Sequence, residues 1–157
     1  MRFHKVLITF TMLLGIFSCG EEYYATPQKT LQRYVDNRDM SSAVRIEAAL
    51  NCFTNKDREW WNRHYEAICE ARYGKFSTAC GSASETQSTI WADLFEPAGP
   101  STTDIESADV NDKAGEATLV VNGRRYHLKK EKFNWKFDGL FGMEDQITGQ
   151  YPQIENP

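Results

Sequence analysis

Glu116-Ala117-Thr118-Leu119-Val120-Val121-Asn122-Gly123-Arg124-Arg125-Tyr126-His127-Leu128-Lys129 is the stretch that decides the fold. Side chains alternate between the two faces of a strand, so Ala117, Leu119 and Val121 share one face. Asn122-Gly123 suits a two-residue type I′ turn, in which both central residues take positive φ. Such a turn leaves one register: Leu119 opposite Tyr126 and Ala117 opposite Leu128 on an apolar side, with Thr118 opposite His127 and Glu116 opposite Lys129 on the other. Two apolar pairs and one opposite-charge pair then fall out together, as a correctly paired hairpin requires.

Downstream, Trp135 and Phe137 stand two apart and read as a third strand sharing the face of Tyr126 and Leu128. Upstream, Ile105 to Val110 reads as another strand, with Ala108 and Val110 placed to meet Leu119 and Ala117. Before Thr102 the apolar period is that of helices. Thr26-Pro27 opens the first, with Thr26 as N-cap and Pro27 at a position where its missing N–H costs nothing. Leu31, Tyr34 and Val35 line one face of it. Asn37 to Ser41 breaks the pattern, and a second helix follows from Ser42 to Asn51. Thr54-Asn55-Lys56-Asp57 resembles a capping box, with Asp in place of the usual Glu. It starts a third, longer helix, which Gly74 should end as a left-handed cap. Residues 77–89 are rich in Ser, Thr, Gly and Ala and read as loop. Ile90 to Phe95 reads as a turn or two of helix stopped before Pro97. The expectation is an α+β domain over residues 26–143: N-terminal helices, then a curved antiparallel meander with one apolar face. Residues 144–157 hold few large apolar side chains and read as a disordered tail.

The other end of the chain reads as an address. Arg2 and Lys5 precede the apolar run Val6 to Phe17, which is too short for a spanning helix of roughly 20 residues. It suits an export signal, whose apolar region runs about 7–15 residues. Ile16-Phe17-Ser18-Cys19 resembles the bacterial lipobox: an aliphatic residue, a variable one, a small one, then cysteine. The resemblance implies a signal peptide over 1–18, removed before Cys19, a diacylglyceryl group on the Cys19 thiol, acylation of the new amine, and a lipidated tether over 19–25. Stable anchoring takes more than one acyl chain, and this modification supplies several. Gly20 after the cysteine resembles lipoproteins sent to the outer membrane of a two-membrane host. An ordinary secretory signal ending near a cysteine is the alternative.

Loss of residues 1–18 leaves 139 of the 157 residues, about one domain. Two basic and no acidic residues go with it, taking the net charge from −4 to −6. An acidic chain is a poor match for nucleic acid, whose phosphates call for concentrated Lys and Arg. Outside the cytoplasm disulfides persist. Cys52 precedes the third helix and Cys69 lies over a dozen residues farther on, so some 20 Å separates them at about 1.5 Å per residue. Cys69 and Cys80 flank the chain reversal at Gly74. A Cys69–Cys80 disulfide with Cys52 free is expected, because a disulfide needs Cα atoms about 6 Å apart.

Taken together, Thr26-Pro27 leading to Tyr34-Val35, Phe53-Thr54-Asn55-Lys56-Asp57, and the strands Glu116–Val121, Tyr126–Glu131 and Trp135-Lys136-Phe137-Asp138 resemble the nuclear-transport-factor-2-like lipoproteins of bacteria. The likeness covers most of residues 26–138, less well over 70–100. It implies a cone: a curved sheet round a long helix with a pocket between. That fold hosts isomerases, dehydratases, immunity proteins and binding modules, so it does not choose a function.

Trp61, Tyr65, Tyr126 and Trp135 are the candidate lining of such a pocket, with Trp60 and Phe137 as further aromatics; an aromatic stripe is also what ordinary core requires. Adjacent Trp60 and Trp61 lie about 100° apart on a helix and cannot both point inward. An isomerase-type site would need a carboxylate base and oxyanion donors in an apolar cavity. Asp36, Tyr34, His64 and Tyr65 are the right types, but no motif joins them. His64 and His127 are the only histidines after residue 18, without metal-ligand spacing. Arg124, Arg125, Lys129, Lys130 and Lys132 form a basic run suited to anionic headgroups or to a solvated strand face. The expected function is a membrane-anchored envelope lipoprotein, leaning non-enzymatic and without cofactor, binding a small apolar ligand or an envelope protein. An isomerase- or hydratase-type enzyme, and an interaction module with a filled core, are the alternatives.

Overall fold

The structure is a computed structural model that describes residues 22–154; Cys19 and the leader lie outside the described residues. Among the described residues, five α-helices and one four-stranded antiparallel sheet make an α+β fold. The helices are α1 (Pro27–Val35), α2 (Ala43–Leu50), α3 (Asn55–Tyr73), α4 (Ala83–Ile90) and α5 (Met143–Gln150). The strands are β1 (Ser107–Asn111), β2 (Glu116–Val121), β3 (Arg124–Glu131) and β4 (Asn134–Phe137), in the order β1-β2-β3-β4. Among the described residues no helix is long and apolar enough to cross a membrane.

The central hairpin has the register that its turn dictates: Leu119 pairs with Tyr126, Ala117 with Leu128, Thr118 with His127 and Glu116 with Lys129. Asn122 (φ 51°) and Gly123 (φ 71°) both take the positive φ of a type I′ turn. β1 pairs Ala108 with Leu119 and Val110 with Ala117. Its side chains nevertheless stay exposed, because no helix covers that edge. The opposite edge is sealed. Phe53 bridges to Phe137, Thr54 N–H donates to the Phe137 carbonyl (3.0 Å), and Thr30 Oγ1 donates to the Trp135 carbonyl (2.8 Å). α1 thereby lies along β4.

Caps start the helices where short polar side chains meet extended backbone. Thr26, Ser42, Thr54 and Ser82 each accept a backbone N–H from three residues on. At Thr54 the box is only half formed: the Thr54 N–H goes to Phe137, and Asp57 accepts the Gly139 N–H (2.8 Å), tying α3 to the loop after β4. Gly74 does take positive φ (89°), but with ψ 148° it is outside the left-handed helical region.

Two stretches depart from the sequence reading. Within residues 77–89 the structure contains α4, because Ser82 and Glu85 form a complete capping box that outweighs weak helix formers. α4 runs into a wide turn at Trp91–Phe95, where Glu96 N–H reaches back five residues to the Trp91 carbonyl (2.8 Å). The expected tail at 144–157 holds α5, docked by buried Met143, Ile147 and, beyond it, Ile154. A run of positive φ at Gly139, Leu140, Phe141 and Gly142 aims it back at the body. Leu140 and Phe141 carry side chains in that region, which costs roughly 1–2 kcal/mol apiece; burial of Leu140 and the ring contacts of Phe141 offset it.

The core is aromatic and tightly interlocked. Tyr34, Phe53, Phe137 and Phe141 meet with ring centroids 5.0–5.8 Å apart. Trp91 joins them to Trp61 and Phe95, stacking on Phe95 at 5.0 Å and edge-on to Trp61 at 5.3 Å. Such contacts contribute about 0.5–1.5 kcal/mol each beyond area burial. Of the adjacent tryptophans, Trp61 is fully buried while Trp60 lies half-exposed over His64.

Candidate functional site

The four aromatics expected to line one pocket are dispersed through the fold. Trp61 and Tyr65 stack on each other at 6.0 Å, with Trp61 donating from Nε1 to Gln87 and Tyr65 donating to Glu66. Tyr126 lies across the molecule against Phe137 and Phe141, its hydroxyl donating to the Ala98 carbonyl. Trp135 is buried on β4 beneath Lys130. The space between these positions is occupied by Trp91, Phe95, Phe53 and Phe137, so the interior is filled where a pocket was expected. The aromatic stripe serves as core.

The isomerase-type residues are also separated. Asp36 is exposed and accepts from Gln32, whereas Tyr34 is enclosed among Phe53, Phe137 and Phe141. His64 lies against Trp60 with the two rings tilted, and burial, with a smaller contribution from Arg63, holds its imidazole below the ordinary histidine range. No carboxylate converges on a cavity with these donors.

Cys69 and Cys80 form a disulfide, with Cα atoms 5.9 Å apart, joining the last turn of α3 to the approach to α4. Cys52 is free and buried; its Sγ–H donates to the Ala48 carbonyl, and burial pushes its thiol up to about 12. Among the described residues no group of three or more His, Cys, Asp or Glu is arranged to hold a metal ion.

What the fold opens to solvent is a groove of ≈ 600 Å³ between α2, α3 and α4, within the range of small-ligand and peptide sites. Its lining includes apolar Ile46 and Leu50 from α2. Asn55, Arg58, Glu59 and Asn62 recur at helical spacing along α3, Asn51 at the end of α2 extends that wall, and Ser84 and Gln87 line the groove from α4.

The hydrogen bonds of that wall give it a chemical direction. Arg58 Nη1 donates to Asn51 Oδ1 (2.5 Å), and its Nη2 donates to Asn55 Oδ1. Gln87 Oε1 accepts from Trp61 Nε1 (2.9 Å). Three carboxamides thus have an oxygen engaged inside the protein, leaving their N–H groups for a ligand. Asn62 adds an amide with no partner among the described residues. Arg58 is locked in place by the two asparagines, so little side-chain entropy remains to be lost on binding. Glu47 and Glu59 also line the groove and outnumber its single cation. The combination favours a ligand rich in acceptors yet not anionic: extended peptide backbone, whose carbonyls meet the amides and whose side chains meet Ile46, Leu50 and the two carboxylates.

A second, shallower cleft of ≈ 610 Å³ lies between the Trp91–Phe95 turn, the start of β3 and α5. Two of its polar side chains are already engaged, whereas Arg125 and Gln146 stay exposed on its lining. Arg124 donates to the Pro97 and Ala98 carbonyls, and Asp93 accepts from Arg72 and Tyr73.

Neither a protein-family model, nor a curated protein, nor a solved structure matches the chain.

The sequence reading did not single out the polar wall, although Asn55, Arg58 and Asn62 carry its signal in their spacing along α3. Its meaning was hidden as well, because α4, which makes the other side, read as loop.

Proposed function

We propose that the protein is a lipid-anchored cell-envelope protein whose nuclear-transport-factor-2-like domain is a binding module, docking an extended, neutral-to-basic peptide segment of a partner protein in the α2–α3–α4 groove. The observation that carries the reading is the set of amide oxygens turned inward on Arg58 and Trp61, which leaves a donor-lined wall beside an apolar floor. The lipobox-like Ile16-Phe17-Ser18-Cys19 supports the anchor, and helices leading into an antiparallel meander support the cone-like domain. Packed aromatic rings favour a partner at the surface over a small apolar guest inside or a substrate at a buried base.

The test is selection of peptides on the soluble domain, followed by titration calorimetry and hydrogen exchange. Selected peptides should combine aliphatic with Lys or Arg residues and protect α2, the first half of α3 and α4. Arg58→Ala should weaken them by about tenfold, the scale of one lost charged hydrogen-bonding anchor. Protection confined to the second cleft, or affinity indifferent to Arg58, would sink the proposal. Incorporation of labelled palmitate, abolished by Cys19→Ser, tests the anchor separately.

A further inference from the structure

Residues Tyr23 and Tyr24 form a short 3-10 turn that folds back on the domain. The Arg33 guanidinium stands 4.6 Å from the centre of the Tyr23 ring, and Lys136 Nζ stands 3.5 Å from that of Tyr24. These are cation–π contacts, one to α1 and one to β4. Lys136 also donates to the Asn51 carbonyl, so its ammonium is fixed from two sides. Immediately after the turn, Thr26 caps α1 and Pro27 is buried. The chain from Tyr23 onward therefore belongs to the folded body.

This matters because of where the expected anchor lies. Cys19 precedes Tyr23 by four residues, and four residues span at most about 14 Å when fully extended. The headgroup layer on one side of a bilayer is itself roughly 5–7 Å thick. An anchor so close to a clasped turn leaves no stalk.

Charge on the clasped face matches the surface it would meet. Arg33 and Arg58 act on Tyr24 and Lys136 lies over its ring; among the described residues Glu131 is the carboxylate that acts on Lys136, and Glu21 and Glu22 precede Tyr23 in the sequence. This basic cluster stands out in a chain whose net charge is −4. Tyr23, half-exposed on this face, is a side chain that favours the interface between water and lipid.

We infer that the clasp of Tyr23 and Tyr24 by Arg33 and Lys136 holds this face against an anionic lipid surface, so that the anchored domain has one orientation instead of swinging on a tether. The inference rests on Cys19 being the acyl attachment point. The Asn51 carbonyl takes the Lys136 ammonium while the Asn51 side chain lines the groove, so the groove borders the membrane-facing side.

The experiment uses the mature lipidated protein in vesicles of phosphatidylcholine with about one-third phosphatidylglycerol, a few per cent of the lipid carrying a photoreactive headgroup. Adducts are mapped by mass spectrometry. Peptides spanning residues 22–35 should carry at least about fivefold more adduct than those spanning 105–125, the factor expected from one basic side chain held at an anionic surface. Tyr23→Ala combined with Tyr24→Ala should level the difference. As a variant that leaves the domain untouched, ten Gly/Ser residues inserted after Gly20 should also level it by adding roughly 17 Å of slack. Protein that binds the vesicles but shows even labelling, or labelling concentrated on residues 105–125, overturns the orientation. An insertion that leaves the pattern unchanged overturns the role of the short tether. Protein that fails to join the vesicles at all refutes the anchor and not the clasp. In that case the purified domain decides the clasp: Tyr24→Ala should then expose Lys136 to amine-modifying reagent, and unchanged reactivity would overturn it.

Discussion

The aromatic interior and the α2–α3–α4 groove are built from neighbouring faces of the same helices, yet they obey opposite rules. In the interior, Trp61, Trp91 and Phe95 are buried and pack ring against ring. In the groove, Asn51 and Asn55 are engaged by Arg58 and Gln87 by Trp61, each carboxamide through its oxygen and not its N–H groups. Trp61 stands at the boundary, its ring in the core and its Nε1–H orienting Gln87. The contrast teaches that stability is stored inside while recognition is left to polar groups half-tied at the rim.

The sharpest way to break the contrast is to hollow out the interior. Trp91→Ala should lower the free energy of unfolding by about 3–5 kcal/mol, measured by urea titration. If the protein remains folded, the vacated space should take up a small aromatic such as indole, as apolar cavities do. A loss below 1 kcal/mol would mean that the rings are not packed as described. Next in size is the disulfide, which ties the end of α3 to the approach to α4 and so holds one wall of the groove. Replacing Cys69 and Cys80 together by Ala should cost about 2–3 kcal/mol. Because it frees α4, it should also weaken peptides selected on the groove; undiminished binding would show that the wall is set by core packing alone.

A pH titration sharpens the comparison from the far side of α3. Asp57 is buried with one oxygen on the Gly139 N–H and the other unpartnered, and burial raises its carboxyl above the ordinary range. Glu144, in the first turn of α5, is raised first by burial and then by the charge of Asp57. A carboxyl raised in the folded state contributes stability present below its unfolded value and lost as pH rises through its folded one. The melting temperature should therefore fall as pH climbs from about 4 through the raised values. Asp57→Asn keeps an acceptor for Gly139 and should flatten that slope; an unaltered slope would assign it to other groups. The smallest effect on stability belongs to Arg58→Met. It keeps much of the buried stem and removes only hydrogen bonds at the groove edge, costing about 1 kcal/mol or less. The same substitution should abolish most of the peptide affinity, so a large loss of stability would place Arg58 in the structural half of the comparison.

How far the fold could be read in advance differed between elements for identifiable reasons. The β2–β3 register followed from Asn122-Gly123 because a two-residue turn leaves the strands one pairing. α1, α2 and α3 were legible from caps beside apolar periodicity. α4 carried its own signal in Ser82-Ala83-Ser84-Glu85, but the Ser and Thr that follow are weak helix formers and obscured it. α5 escaped because only Met143 and Ile147 mark its buried face, and because its docking depends on left-handed backbone at Leu140 and Phe141, which no local preference announces.

Local chemistry alone thus determined where most elements begin, how the central hairpin pairs, which side of each helix is apolar and which two cysteines lie within reach. Those properties depend on neighbours a few residues apart. Whether the aromatic side chains would enclose a cavity or fill it, and whether Asn51, Asn55, Arg58 and Gln87 would meet across a groove, depended on how α3, α4 and the sheet close on one another. Packing is a property of surfaces brought together from distant parts of the chain, and only the tertiary structure could decide it.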